Sequence, residues 1–456
     1  MEEERLLKEK ARKNSIRDGS SYSIMDGMGL RYITPYALSM GISNKLIGVL
    51  EVLPALIGNI LRISFNKEYY KRSRKSVVLP FVLIQAFFWI PLISVGVAYF
   101  FLNLSLFYSS LFLVISYSII VISGLIASPA WTSWMQDLVE NNRGAYFGRR
   151  NKINGFVLVI SMLTAGFILD YFHKEQIFFG FAILFGLACI GRYISFSFLK
   201  KQYEPKAIRD DKSYFSFFQF IKKMPSNNFG RFVIFASLTS FAVTIASPFF
   251  SVYMIKDLEL SYLAFTIIIL SPLISPILFL PYIGKLSDKI GTVKVMKISG
   301  FLISFVPLLW IFSIFLMKFS PFILISYLFV IELFSGFVWA AYNLSTSNFI
   351  YDAVTKQKII LCFTYFGFIN SIGAFLGGFI GGQISSLPSF SIFGLGGILS
   401  VFLISFVLRL IPSILIAPKL KEVREVDSSR AVVSFGIREK FDSLLDFITF
   451  SSLRNK

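Results

Sequence analysis

Gly284-Lys285-Leu286-Ser287-Asp288-Lys289-Ile290-Gly291 joins two long apolar runs two thirds of the way along the chain. Its order is glycine, x, leucine, x, aspartate, a basic residue, x, glycine. The glycines allow a tight turn. The aspartate can sit against a helix N-terminus or an arginine, so a short loop of this kind can latch one helix bundle to another. The spacing predicts a loop between two membrane helices.

Composition agrees with a membrane setting. The chain has 456 residues, 55% of them hydrophobic and 53 of them Phe, and only 16% are charged. Its mean hydropathy is +0.69. A soluble fold cannot hide that much apolar surface, whereas a bilayer can. The formal net charge of +19 would suit nucleic acid, but the basic residues fall between the apolar runs, which is the pattern of membrane topology and excludes a nucleic-acid partner. Cys189 and Cys362 lie in or near apolar segments, without metal-ligand company or the setting for a disulfide. The charged N-terminus, MEEERLLKEKARKNSIRDG, has no short apolar core before a cleavage site, so the first membrane helix is expected to act as an uncleaved signal.

Apolar runs of spanning length fall at 20–40, 44–66, 76–101, 105–127, 153–173, 176–199, 229–255, 260–284, 292–317, 320–349, 359–385 and 390–417. Each reaches the roughly 20 residues a spanning helix needs. The expected fold is an all-α membrane protein of twelve transmembrane helices in two six-helix bundles. The division is a cytoplasmic N-terminal segment (1–19), an N-terminal bundle (20–199), a linker (200–228), a C-terminal bundle (229–417) and a cytoplasmic tail (418–456). With both termini placed inside, thirty-seven Lys and Arg fall in inner segments against four in outer loops. That bias predicts cytoplasmic termini in the cell membrane.

The halves repeat one another. A displacement of 218 residues puts Ser43 on Ser261, Leu53-Pro54 on Ser271-Pro272 and Lys71 on Lys289. With a small drift, Trp134–Val139 matches Phe349–Val354, Asp137 falls on Asp352, and Asn154 on Asn370. Two parallel six-helix halves produce such symmetry. One copy is degenerate: Asn66 and Tyr70 stand where the second half has Gly284 and Asp288.

The loop 284–291 resembles the loop signature of the major facilitator superfamily of secondary transporters. Pro129-Ala-Trp-Thr-Ser-Trp-Met-Gln-Asp137-Leu-Val, followed by Arg143-Gly-x-Tyr-Phe-Gly-Arg149-Arg-Asn151, resembles a loop of a large prokaryotic branch of that superfamily. The pattern covers about 20 to 417. The resemblance implies two bundles related by a pseudo-two-fold axis, alternating access, and a cavity lined by the first, fourth, seventh and tenth helices. It implies that Gly284, Asp288, Lys289 and Gly291, with Asp137, Arg143, Arg149 and Asp352, are gating residues, and it places Asp288 near the start of the fifth helix, around Arg149–Ile153. The Gly-Pro-Gly-Gly cluster of drug/proton antiporters is absent from Asn154–Asp170.

A charge inside the membrane costs roughly 2.5–3.5 kcal/mol on insertion scales, so each needs a reason. Asp26, Arg31, Glu51 and Glu332 are the candidates for substrate or coupling contacts. Gln85, Trp89, Asn343 and Asn370 are the polar candidates. Structural salt bridges between the halves, or local hydrogen bonds, are the alternative roles. Asp26 and Arg31 are five residues apart, a spacing that does not favour their direct pairing on one helix. Arg192 and Arg409 are expected to snorkel toward the inner face. Gly373, Gly377, Gly378, Gly381 and Gly382 form a small-residue surface for close packing. Ser213–Met224 is expected to form an interfacial helix tying the halves, and Phe435–Leu453 to lie on the membrane or act as a tether.

Soluble-style catalysis has no basis here. The single histidine, His173, has no cysteine or carboxylate constellation, so neither a metal site nor a Ser-His-Asp triad is expected. No phosphate-binding glycine loop is found, no cofactor is implied, and the protein is not expected to be an enzyme. The reading is a monomeric secondary transporter moving a small solute, with a coupling proton or ion as a possible partner beside the lipid bilayer. An exporter of an amphipathic or lipidic compound, and a non-transporting membrane sensor or scaffold, remain the alternatives.

Overall fold

The computed structural model describes residues 2–139, 143–172, 176–205, 217–224, 227–355, 358–387 and 390–424. His173, residues 206–216 and 225–226 of the linker (so the first four residues of Ser213–Met224) and the tail segment Phe435–Leu453 lie outside the described residues. Among the described residues eleven helices are long and apolar enough to cross a bilayer. The twelfth span is the first of the chain, in two pieces, Glu2–Met28 and Ile33–Ser39. Its charge keeps its hydropathy below that of the others.

The remaining spans are Asn44–Ser64, Arg74–Phe87 continuing as Trp89–Phe100, Leu106–Leu138, Arg143–Tyr171 and Ile177–Lys200 in the first half. In the second half they are Asn228–Thr244 with Ser247–Val252, Tyr262–Ile290, Thr292–Ile311 with Ser313–Leu316, Pro321–Ala353, Ile359–Ser385 and Gly397–Leu415. Numbered one to twelve, the spans pack in the same order in both halves. Span one lies on five and six, two on four, and three on four and six; span seven lies on eleven and twelve, eight on ten, and nine on ten and twelve. The halves meet through two equivalent pairs, two against eleven and five against eight.

The 218-residue displacement also holds for side chains. Glu204 accepts the backbone N–H of Arg74 at 2.6 Å, capping the third span. Glu422 accepts that of Val293 at 2.8 Å, capping the ninth. A carboxylate on the exposed first-turn donors is worth about 0.3–1 kcal/mol. Neither cap was anticipated from the sequence.

The glycine-rich face of span eleven packs as its spacing predicts, on two sides. A Cβ at Gly373, Gly377 or Gly381 would meet the span-seven backbone at Ser237, Phe241 or Ile245 within 2.4 Å. Gly378 and Gly382 lie against Gly48, Val52 and Lys45 of span two. Large apolar side chains such as Phe107, Phe322 and Leu102 point outward, where the bilayer covers them.

Residues 2–19 are helical and continuous with span one, and they bury Asn14, Ser15 and Asp18. One expectation is corrected: 284–291 is not a loop. Span eight continues to Ile290, and the turn is the single residue Gly291, at φ +95°, which ends span eight and begins span nine. Only glycine adopts that angle without strain. Lys285, Asp288 and Lys289 extend the helix as a polar last turn instead.

The short helix Phe217–Lys223 packs on the second half. Phe217 meets Tyr365 and Phe368 edge-on at 5.3 Å, and Phe220 is buried against Tyr365 and Phe229.

Candidate functional site

Span one breaks at Gly29, where Trp89 packs too closely for any side chain. A Cβ would lie 2.3 Å from the Trp89 ring and 2.7 Å from the Met25 carbonyl. The chain then turns through Leu30–Tyr32 before resuming as helix. This break re-aims Arg31, which reaches back to Asp26 with Nε to Oδ1 at 3.1 Å and Nη2 to Oδ2 at 3.3 Å. Straight-helix spacing argued against that pair, and the missing half-turn makes it. Beyond the break Thr34 donates to Glu51 of span two, with Arg31 in electrostatic range.

Arg31 lines a cavity of about 430 Å³ whose other walls belong to the second half, among them Ser247, Glu332, Trp339, Asn343 and Arg409. Glu332 accepts the Trp310 indole N–H at 2.9 Å. Arg409 does not snorkel. It is 2% exposed and donates to Ser405 at 3.0 Å, to the Ile303 carbonyl at 3.0 Å and to the Val243 carbonyl at 3.2 Å. Val243 stands at the end of the Asn228–Thr244 helix, where its carbonyl also accepts the Ala246 N–H and the negative end of the helix dipole favours a cation. The central charges are therefore Asp26, Glu51 and Glu332 against Arg31 and Arg409.

The other polar candidates are not on this cavity. Gln85 lies in the first half and accepts from Arg192 Nε at 2.7 Å. Trp89 is fully buried behind Gly29 and against Phe185. Asn370 is half-buried on span eleven, and its repeat partner Asn154 accepts from Ser20 at 3.3 Å.

A charged cluster unforeseen in the sequence fills the first half. Asp18 is 3% and Arg192 6% exposed. Ser195 donates to Asp18 at 2.7 Å and accepts from Arg192 Nη1 at 2.8 Å. Arg150 approaches Asp18 at 3.8 Å and lies 4.8 Å from the Trp131 ring. Arg192 therefore points into the bundle rather than toward lipid phosphates, because Gln85, Ser195 and Asp18 satisfy it there.

Among the described residues the halves hydrogen-bond to one another at the face opposite the described ends of the chain. Among the described residues the cross-bundle bonds are Asn44 to the Ser385 carbonyl, the Lys45 N–H to Ser386, Tyr32 with Thr266, and the Tyr262 and Leu263 N–H groups to Asp170. At the face bearing the termini, Arg424 donates to Asp288 at 2.8 Å within the second half. Among the described residues the hydrogen-bond and ion-pair partner of Asp288 is thus Arg424 of its own half, not the start of span five. Of the other expected gating residues, Asp137 accepts from Arg74 at 2.5 Å, and Arg149, Asp352 and Lys289 are exposed. Gly284 faces open space, and Arg143 begins span five.

Comparisons with known proteins agree with this architecture. The sequence profile of the Major Facilitator Superfamily matches residues 232–451. No curated protein matches the sequence. A solved variant of the nucleoside transporter NupG superposes with a TM-score of 0.67 at 16% identity, covering 91% of this chain and 100% of the other. A bacterial homologue of the iron transporter ferroportin, in an inward-facing state, gives 0.65 at 11% identity, covering 91% and 98%. A proton-dependent oligopeptide transporter gives 0.64 at 11%, covering 91% and 97%. The chain is a multi-pass membrane protein with the major facilitator fold, twelve helices in two six-helix bundles.

Proposed function

We propose that the protein is a secondary transporter that carries a small polar solute by alternating access. The observation that carries this reading is the cavity between the halves, in which Arg31 of one bundle faces Glu332 and Asn343 of the other, while the hydrogen bonds between the halves found among the described residues lie at the opposite face. A solute bridging those groups gains contacts from both bundles, so its binding favours a change in how they meet. The similar folds are named for nucleosides, iron and oligopeptides. Among the described residues no three His, Cys, Asp or Glu converge as metal ligands, which favours an organic solute with both donors and acceptors.

The central charges sum to one excess carboxylate. A co-moving proton or cation would balance it, and that supports coupling to an ion gradient. In proteoliposomes, a mixture of nucleosides and dipeptides should show saturable uptake of at least one solute, lowered tenfold or more by Arg31→Gln. Solute binding without flux would assign the chain to the sensors instead. Flux no faster than in protein-free liposomes, with no binding, would sink the reading.

A further inference from the structure

A second chamber, of about 570 Å³, lies wholly inside the first half. Asp18, Gln85, Trp131, Arg150, Asn154 and Arg192 line it, with Val78, Val82 and Leu125 supplying apolar wall. Leu30 lines this chamber and Arg31 the central one, so the two lie on either side of the break in span one.

The chamber carries an unbalanced positive charge within the membrane-spanning bundle. Asp18 neutralises one of two guanidiniums. No other acidic residue lines the chamber, and Arg17, the nearest further cation on span one, is exposed and turned to the Phe198 ring. Both guanidiniums keep donors in hand. Arg192 spends Nε on Gln85 and Nη1 on Ser195. Arg150 spends Nε on the Ser15 carbonyl and faces Asp18 with Nη2. Arg192 Nη2 and Arg150 Nη1 have no acceptor among the described residues. A glycine is built into the arrangement: a Cβ at Gly19 would meet Arg150 Nη2 at 2.5 Å and Asn154 Nδ2 at 2.2 Å, so only glycine lets both reach over span one.

We infer that this chamber is a binding site for an organic monoanion, an oxyanion group on an apolar body. The forked donors of Arg192 and Arg150 match a carboxylate or phosphate oxygen pair. Tyr22 and Trp131, each already against a guanidinium, and the valine and leucine wall suit the apolar part. One negative charge balances the cluster, and more than one overcompensates it. The inference concerns binding and stands whether or not the central cavity carries a solute.

Benzoate is the probe, with benzamide as its neutral isostere, applied to the purified full chain in nanodiscs of phosphatidylcholine. Benzoate should raise the melting temperature saturably and benzamide should not. Arg192→Gln and Arg150→Gln should each weaken benzoate at least tenfold. Arg150→Gln leaves the Arg192–Ser195–Asp18 chain intact, so it reads the site even where Arg192→Gln fails to fold. A second series replaces benzoate with phosphatidylglycerol in the disc. Stabilisation by that lipid alone identifies the oxyanion as a headgroup, and stabilisation by benzoate in pure phosphatidylcholine identifies a free acid. Equal effects of benzoate and benzamide, unchanged affinity in the folded variants, or no response to either anion would overturn the assignment.

Discussion

Asp170 accepts the backbone N–H of Tyr262 at 2.7 Å and that of Leu263 at 3.0 Å, so the last turn of span five caps the first turn of span eight across the two bundles. Those are two of the donors a helix start leaves unpaired, and a carboxylate satisfies both while complementing the dipole. Gly166, one turn earlier, brings the helices together: a Cβ there would lie 2.8 Å from Thr266 Oγ1.

Removing that carboxylate should loosen the closed face. Loss of a capping oxygen costs about 1 kcal/mol. Asp170→Ala is therefore expected to shift the balance of conformations several-fold toward separation of spans five and eight at that face. Spin labels on their ends would show a larger long-distance population. An unchanged distance distribution would mean that the cap holds span eight but does not set the conformation.

Crowding the glycine face should damage the other inter-bundle contact. A Cβ at Gly378 already meets Val52 at 2.8 Å and the Gly48 carbonyl at 2.9 Å. Gly378→Leu is expected to cost about 1–3 kcal/mol by overpacking and to lower the melting temperature. Gly284→Ala is the contrasting case, because that glycine faces open space within a helix. Alanine gains about 1 kcal/mol of helix propensity there, so its melting temperature should hold or rise. If both variants melt alike, the face does not hold spans two and eleven together.

The span count, the repeat and the glycine face were legible because each is a local property of hydropathy or spacing. What stayed hidden depends on contacts between distant segments. Asp18 sits in a run of charge that reads as solvated, and only Arg192 and Ser195, on span six, show why it is buried. Arg192, near a helix end, read as snorkelling to the inner face, because its partner Gln85 is 107 residues away and cannot be seen from local spacing. The Asp26–Arg31 pair required knowing that span one breaks at Gly29, against Trp89 of span three. Asp288 read as a loop anion, whereas it lies in the last turn of span eight and is held by Arg424, 136 residues away.

Orientation is tested by labelling. The charge bias places Lys256 outside and Lys201 inside, and both side chains are exposed. In a background without Cys189 and Cys362, a membrane-impermeant maleimide should modify Lys256→Cys on intact cells and leave Lys201→Cys unmodified until the membrane is opened. Labelling of Lys201→Cys alone would invert the topology.

The buried cluster of the first half makes an asymmetric prediction about stability. Its charges sum to +1 with Asp18, Arg150 and Arg192 in place. Asp18→Asn leaves two guanidiniums facing one another with no anion, and breaking a buried pair this way costs about 3–5 kcal/mol. Arg192→Met leaves Asp18 with Arg150, 3.8 Å away, so the charge is balanced and the loss is that of hydrogen bonds to Gln85 and Ser195, about 1–3 kcal/mol. The double variant returns the sum to +1 with a single half-buried cation and should be more stable than Asp18→Asn alone, a coupling a double-mutant cycle reads directly. Melting of the four proteins in one detergent gives the order: parent, Arg192→Met, the double variant, then Asp18→Asn lowest. If Arg192→Met is the least stable of the four, the arginine acts through packing and hydrogen bonding, and charge balance is not what holds the cluster together.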